Sequence, residues 1–109
     1  MTDKKTFVFD IDGTLCSDTG GAYSLASPLI ERIEEVNKLY DEGHTIILNT
    51  ARGMGRFNND PEKACNEFYD FTVRQMEGWG VKFHHLFLGK PSADLYVDDK
   101  GAQADDYFK

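Results

Sequence analysis

Two aspartates two residues apart, Asp10 and Asp12, close the short apolar run Phe7-Val8-Phe9, and Gly13-Thr14 follows at once. Residues i and i+2 of an extended chain point to one side, so both carboxylates can project together from a strand end. Gly13 then lets the backbone turn sharply away from them. Crowded carboxylates repel, and a bound divalent cation or a shared proton relieves the repulsion. Such a pair suits phosphoryl chemistry, in which one carboxylate attacks phosphorus and the other handles protons.

Further groups fall at the ends of other expected strands: Thr50, Lys90 and the pair Asp98-Asp99. In an open α/β sheet the carboxyl ends of the strands are where ligands bind. Asp10 is the candidate nucleophile and Asp12 the candidate acid/base. Thr50, with the neighbouring Gly13, Thr14 and Ala51, would hold the phosphoryl oxygens. Lys90 would neutralise charge on the phosphate and on Asp10. Arg52 could grip a substrate phosphate or carboxylate with two bonds. Asp98, helped by Asp99, would complete an oxygen-ligand Mg²⁺ site with Asp10 and Asp12. Each piece has a plainer meaning: a lone DxDG is often a turn or a Ca²⁺-loop fragment, and Lys90 before Pro91 is usually a solvated loop cation. No DxDxDG and closing glutamate continue the first motif, so the EF-hand version fails. The joint order and strand-end placement make the set specific.

The elements that must position these groups alternate strand and helix. Thr6 to Asp10 reads as a strand and 15–27 as a loop or small flap. Ser27-Pro28 has helix-start chemistry, and Leu29, Ile33, Val36 and Tyr40 recur at helical spacing up to a Gly43 cap. Thr45 to Leu48 is a second strand, 53–60 a polar loop, and Asp60-Pro61 opens a second amphipathic helix through Trp79. Phe68, Phe71 and Trp79 read as its core side. Phe83 to Leu88 and Asp94 to Asp98 are the third and fourth strands, with a short helix over Ala102 to Phe108. This order implies a parallel sheet covered on both faces. One step is tight: about six residues join the last two strands, barely enough if those strands flank the first two.

The chain resembles the haloacid dehalogenase-like hydrolase superfamily. The resemblance rests on Asp10-Ile11-Asp12-Gly13-Thr14, on Ile46-Ile47-Leu48-Asn49-Thr50, on Lys90, and on Asp98-Asp99 after Leu95-Tyr96-Val97. It implies a three-layer Rossmann-like α/β fold with a mainly parallel sheet, Asp10 as nucleophile and Asp12 as acid/base. It also implies Mg²⁺ held by Asp10, the backbone carbonyl of Asp12, and Asp98. An acid at position 12 points to the phosphatases of that superfamily. The helix usual between the lysine and the acidic motif is missing, and the family's cap modules have no room. A capless phosphatase is therefore expected, acting on phosphate carried by a large substrate or closed over by a neighbouring subunit. Residues 89–100 are similar to small phosphatases of bacterial capsule and surface-sugar biosynthesis, which suggests a sugar phosphate.

Composition narrows the rest. The 109 residues suit a single domain, 1–109. A formal charge of −7, from 12 Lys+Arg against 19 Asp+Glu, argues against general nucleic-acid or anionic-membrane binding. Cys16 and Cys65 lack CxxC spacing, no secretory leader or membrane-length apolar run is evident, and a cytoplasmic protein with free thiols is expected. A homo-oligomer is compatible with all of this. Arg56 and Lys100 are weaker candidates near the site, and His84-His85 read as structural. A receiver-type signalling domain shares the length and residue types, but its acceptor aspartate ends a middle strand, where this chain has none. A metal- or phosphate-binding protein without turnover is the other alternative, and the acid at position 12 argues against it.

Overall fold

The computed structural model describes residues 3–109. Three parallel strands form one sheet in the order β1-β2-β3: β1 over Thr6–Phe9, β2 over Thr45–Thr50 and β3 over His85–Leu88. The register sets Phe7 beside Ile46 and Phe9 beside Leu48, with Leu48 in turn beside Leu86. Helix α1 (Ile30–Asp41) links the first two strands, and α2 (Pro61–Gly78) links the second and third. A short α3 covers Ala104–Tyr107.

Strand alternation sends Phe9, Ile46, Leu48 and Leu86 to one face. There they meet Ile33 and Val36 of α1 and Met76 of α2 in a buried cluster that also takes in Ile11, Leu15 and Cys16. Burying such a side chain fully is worth about 1.5–3 kcal/mol, so this cluster anchors the strand ends on which the candidate site stands. The α/β class and the parallel sheet are as expected. The opposite face, however, carries no helix among the described residues, and Val8 and Phe87 there are 60% and 53% exposed. The reason is topological: both crossover helices return on the same side, and the chain after β3 makes no further crossover.

Several boundaries differ from the sequence expectation. Ser27-Pro28 does not start α1. The Ser17 N–H donates to Ser27 O and the Leu29 N–H to Leu15 O, holding 27–29 extended against the flap, so the helix begins at Ile30. Asp60 does cap α2, its carboxylate accepting from the Glu62 and Lys63 N–H groups. β2 runs two residues further than expected, to Thr50, and β3 starts two later, at His85. The fourth strand does not form: 94–98 is irregular and exposed throughout. Residues 90–92 are tied to the end of β2 and to the loop beyond it, which leaves too little chain to reach the free edge of β1. No helix among the described residues is long and apolar enough to cross a membrane.

Candidate active site

At the end of β1 the chain folds into a tight turn. Ile11 O accepts from the N–H groups of Thr14 and Leu15, and the Gly13 N–H donates to Cys16 O. Gly13 adopts φ +80, a conformation that favours glycine, and so lets the turn close around the two carboxylates. Burial pushes the Asp10 carboxyl above the usual carboxylate range, while the Ile11 N–H and the Lys90 ammonium pull it back. Lys90 Nζ lies 3.8 Å from Asp10 Oδ2. The backbone carbonyl of Asp12 accepts no hydrogen bond among the described residues.

Asp12 is held by Arg52. The guanidinium Nε donates to Asp12 Oδ2 at 2.9 Å and Nη2 to Oδ1 at 3.0 Å. Sequence reasoning set Arg52 at the substrate, but its side chain has no exposure at all. It turns inward because three partners wait there. Nη1 donates to Thr72 Oγ1 at 3.3 Å, and the guanidinium lies 4.7 Å from the Tyr23 ring centre and 6.0 Å from that of Phe71. Phe71, expected in the core, is 36% exposed and forms part of this wall instead.

Thr50 ends β2 and is buried, and its hydroxyl accepts the Arg52 N–H at 3.2 Å. Its carbonyl accepts the Lys90 N–H, also at 3.2 Å, so the lysine is fixed at the strand end by its own backbone. Asp10, Asp12, Thr50, Arg52 and Lys90 therefore form one linked group; Gly13 and Thr14 lie in the turn after Asp12, and the Ala51 carbonyl accepts the Met54 N–H in the turn after β2.

Asp98 and Asp99 make no contact with this group among the described residues, although the Lys90 charge reaches the Asp98 carboxyl. Asp98 is fully exposed and accepts from the Lys100 and Gly101 N–H groups, which lower its carboxyl below the usual range. Asp99 pairs only with its neighbour Lys100. Among the described residues no group of three or more His, Cys, Asp or Glu side chains is placed to hold a metal ion. The donor chemistry still suits Mg²⁺ in part: a desolvated carboxylate on Asp10 and a free carbonyl on Asp12 are hard oxygen ligands on one rim.

Sequence reasoning missed Tyr23 and Thr72. Tyr23 accepts the Gly53 N–H on its hydroxyl while its ring covers Arg52. Nothing in a loop tyrosine marks it for this, and Thr72 looks like any helix-interior hydroxyl. Asn59, at φ +62, takes the Ser92 N–H on its side-chain oxygen, the turn-forming part that paired loop asparagines suggest. Beside Tyr23 a cavity of about 240 Å³ is lined by Ser24, Arg56, Phe68 and Phe71. Arg56 has no ion-pair partner among the described residues, and its guanidinium lies 5.0 Å from the Phe68 ring centre.

No protein-family model matches the chain, and no curated protein sequence is similar to it. Solved structures are. A crystallised target protein from Vibrio cholerae is 22% identical, with a TM-score of 0.87 over 95% of this chain and 87% of that one. The D,D-heptose 1,7-bisphosphate phosphatase of B. bronchiseptica, crystallised with magnesium and phosphate, is 20% identical with a TM-score of 0.55. The likeness covers 83% of this chain and 52% of the enzyme, so the chain spans about half that enzyme's length. The fold is haloacid dehalogenase-like. At these identities the likeness speaks for the fold alone, and the HAD-like fold is what puts Asp10, Thr50 and Lys90 at adjacent strand ends.

Proposed function

We propose that the chain is a capless, Mg²⁺-dependent phosphomonoester hydrolase working through an aspartyl phosphate on Asp10. The observation that carries this reading is the linked group at the strand ends, in which Lys90 lies beside Asp10 and both Lys90 and Arg52 hang on Thr50. In the first step an Asp10 oxygen bonds to phosphorus, the ester oxygen leaves, and Asp12 supplies its proton. In the second, water attacks phosphorus, Asp12 takes the proton, and the Asp10 carboxylate is released with inorganic phosphate. Lys90 offsets phosphoryl charge throughout. Mg²⁺, held by Asp10, the Asp12 carbonyl and Asp98, would neutralise phosphate charge and align the ester.

The substrate class that fits is a phosphate on a sugar or on a larger molecule. The rim is open, and Arg56 with Phe68 and Phe71 offers a cationic and aromatic wall for the part beyond the phosphate. The heptose bisphosphate phosphatase of the same fold supports a sugar phosphate. One observation favours a second reading, phosphate binding without turnover: Arg52 takes one acceptor site on each Asp12 oxygen and turns the carboxyl toward itself, leaving each oxygen a single further site for a leaving oxygen or a water.

A phosphate-release screen over sugar phosphates, nucleotides and phosphorylated oligomers with Mg²⁺ separates the two. Turnover by the wild type that is lost in Asp10→Asn supports the hydrolase. Binding without release across the panel supports the alternative.

A further inference from the structure

We propose that two copies of the chain exchange residues 94–98, each segment adding as a strand to the free edge of the other copy's β1 and setting its Asp98 beside that copy's Asp10. The role given to Asp98 rests on the hydrolase reading; the exchange itself does not.

The first observation is an edge. β1 is one of the two edge strands, and apart from its pairing with β2 it makes no backbone hydrogen bond among the described residues. Such a row of free N–H and C=O groups is a template for another strand. The second is a strand-like segment with nothing to pair with. Leu95, Tyr96 and Val97 are consecutive, apolar and 71%, 47% and 86% exposed. Aromatic and β-branched residues of this kind favour a pleated, half-covered surface. Within one copy, among the described residues, the segment is tied at Tyr96, whose ring centre lies 4.4 Å from Lys90 Nζ and whose hydroxyl donates to Pro91 O, and at Asp98, which accepts only from its near neighbours Lys100 and Gly101.

Reach decides between an exchange and a closure within one copy. For Asp98 to stand level with Asp10 at the carboxyl end, the added strand must run parallel to β1. It must then start at the opposite end of the sheet. From β3 that is a sideways path of about 14 Å plus about 13 Å back along the strand. The chain is not free to use all of its length. The Lys90 N–H is held by Thr50 O at the end of β2 and the Ser92 N–H by Asn59 Oδ1 in the loop beyond it. Ala93 and Asp94 alone can extend at most about 7 Å. A second copy removes the constraint, because its β1 edge can be brought to the segment. The exchange also supplies what one copy lacks, since among its described residues no three carboxylates gather to hold a metal. Each chain carries a formal charge of −7, so Mg²⁺ at the shared site should strengthen the dimer.

Three measurements test this. Sedimentation in Mg²⁺ should give a dimer for the wild type and a single copy for the double variant Leu95→Asp, Val97→Asp. These sites are exposed within one copy, so the helical circular-dichroism signal should persist and show that the fold survives. With Asp98 level with Asp10, Tyr96 lies level with Val8, so Val8→Cys, Tyr96→Cys on a Cys65→Ser background should form a disulfide between chains under mild oxidation. Finally, Asp10→Asn and Asp98→Asn, each inactive alone, should recover about a quarter of the wild-type rate when refolded together. Half the dimers then pair the two variants, and each of those has one intact site. A single copy at all concentrations overturns the proposal. So does a missing or intrachain disulfide, or a mixture that stays inactive while the wild type turns over. If the wild type releases phosphate from nothing, the hydrolase reading has failed, and mass and disulfide decide the exchange by themselves.

Discussion

Arg52 and Asp12 meet in a fork, each of two guanidinium nitrogens on a different carboxylate oxygen at 2.9 and 3.0 Å. On the proposed hydrolase reading Arg52 acts through Asp12, as a positioning residue. Arg52→Lys keeps the charge and loses the planar fork. Misplacing a reacting group costs about a hundredfold, so kcat should fall by that order with KM little changed. A rise in KM alone would restore Arg52 to direct substrate binding. Arg52→Ala should also cost roughly 2–3 kcal/mol in urea unfolding, because it strands Asp12 and Thr72; Asp12 keeps some solvent contact, which limits the loss.

Gly53 is needed where it stands. It has φ +80, and a Cβ there would lie 2.7 Å from Phe68 Cδ2 and 3.1 Å from Ala64 Cβ. Left-handed backbone and overpacking together should make Gly53→Ala cost about 2–4 kcal/mol. Gly55→Ala, whose Cβ would meet only Ser92 Oγ at 3.6 Å, is the control and should be near neutral in the same unfolding experiment.

The two thiols should behave differently. Cys65 is exposed and Cys16 is buried, and burial pushes the Cys16 thiol up to about 12. A thiol reagent at pH 8 should count one cysteine in the native protein and two in denaturant. The unfolded thiol ionises near about 8.5. The folded state therefore holds its proton longer, and the Cys16 contribution to stability is present below that pH and is lost as pH rises toward 12. Cys16→Ala should flatten this alkaline decline; an unchanged slope would assign it elsewhere.

Asp10 is costly to keep charged. Burial raises its carboxyl above the usual range, so the folded state binds its proton more tightly than the unfolded chain does. Stability is therefore greater below the unfolded value and falls as pH rises through the raised one, leaving a penalty at neutral pH. Asp10→Asn should raise Tm at pH 7 in metal-free protein and, with Mg²⁺ present, cut turnover by at least about a thousandfold. A lower Tm would mean that Lys90 more than offsets the burial.

Much of the site was legible because its parts are local. Asp10-Ile11-Asp12-Gly13 lies in one turn, and Thr50 and Lys90 end strands whose apolar runs are plain in the sequence. Asp60 could be read as a cap because Pro61 follows it. The helix start at Ser27-Pro28 misled because both residues pair instead with the distant flap at 15–17. Arg52 could not be placed, since its direction depends on Tyr23, Thr72 and Phe71, three residues from two other parts of the chain. The fourth strand failed for a related reason: Leu95-Tyr96-Val97 has the right pattern, but the ties at Lys90 and Ser92 are not visible in any local window.

The central claim is that Asp10 carries the phosphoryl group, and chemical trapping tests it most directly. Protein mixed with a phosphomonoester substrate and Mg²⁺, then quenched with borohydride, would have any aspartyl phosphate reduced to homoserine. Peptide mass spectrometry should find that change at Asp10, dependent on substrate and absent from Asp10→Asn. Rapid phosphate release with Asp10 unmodified, or with the label on another residue, would contradict the account.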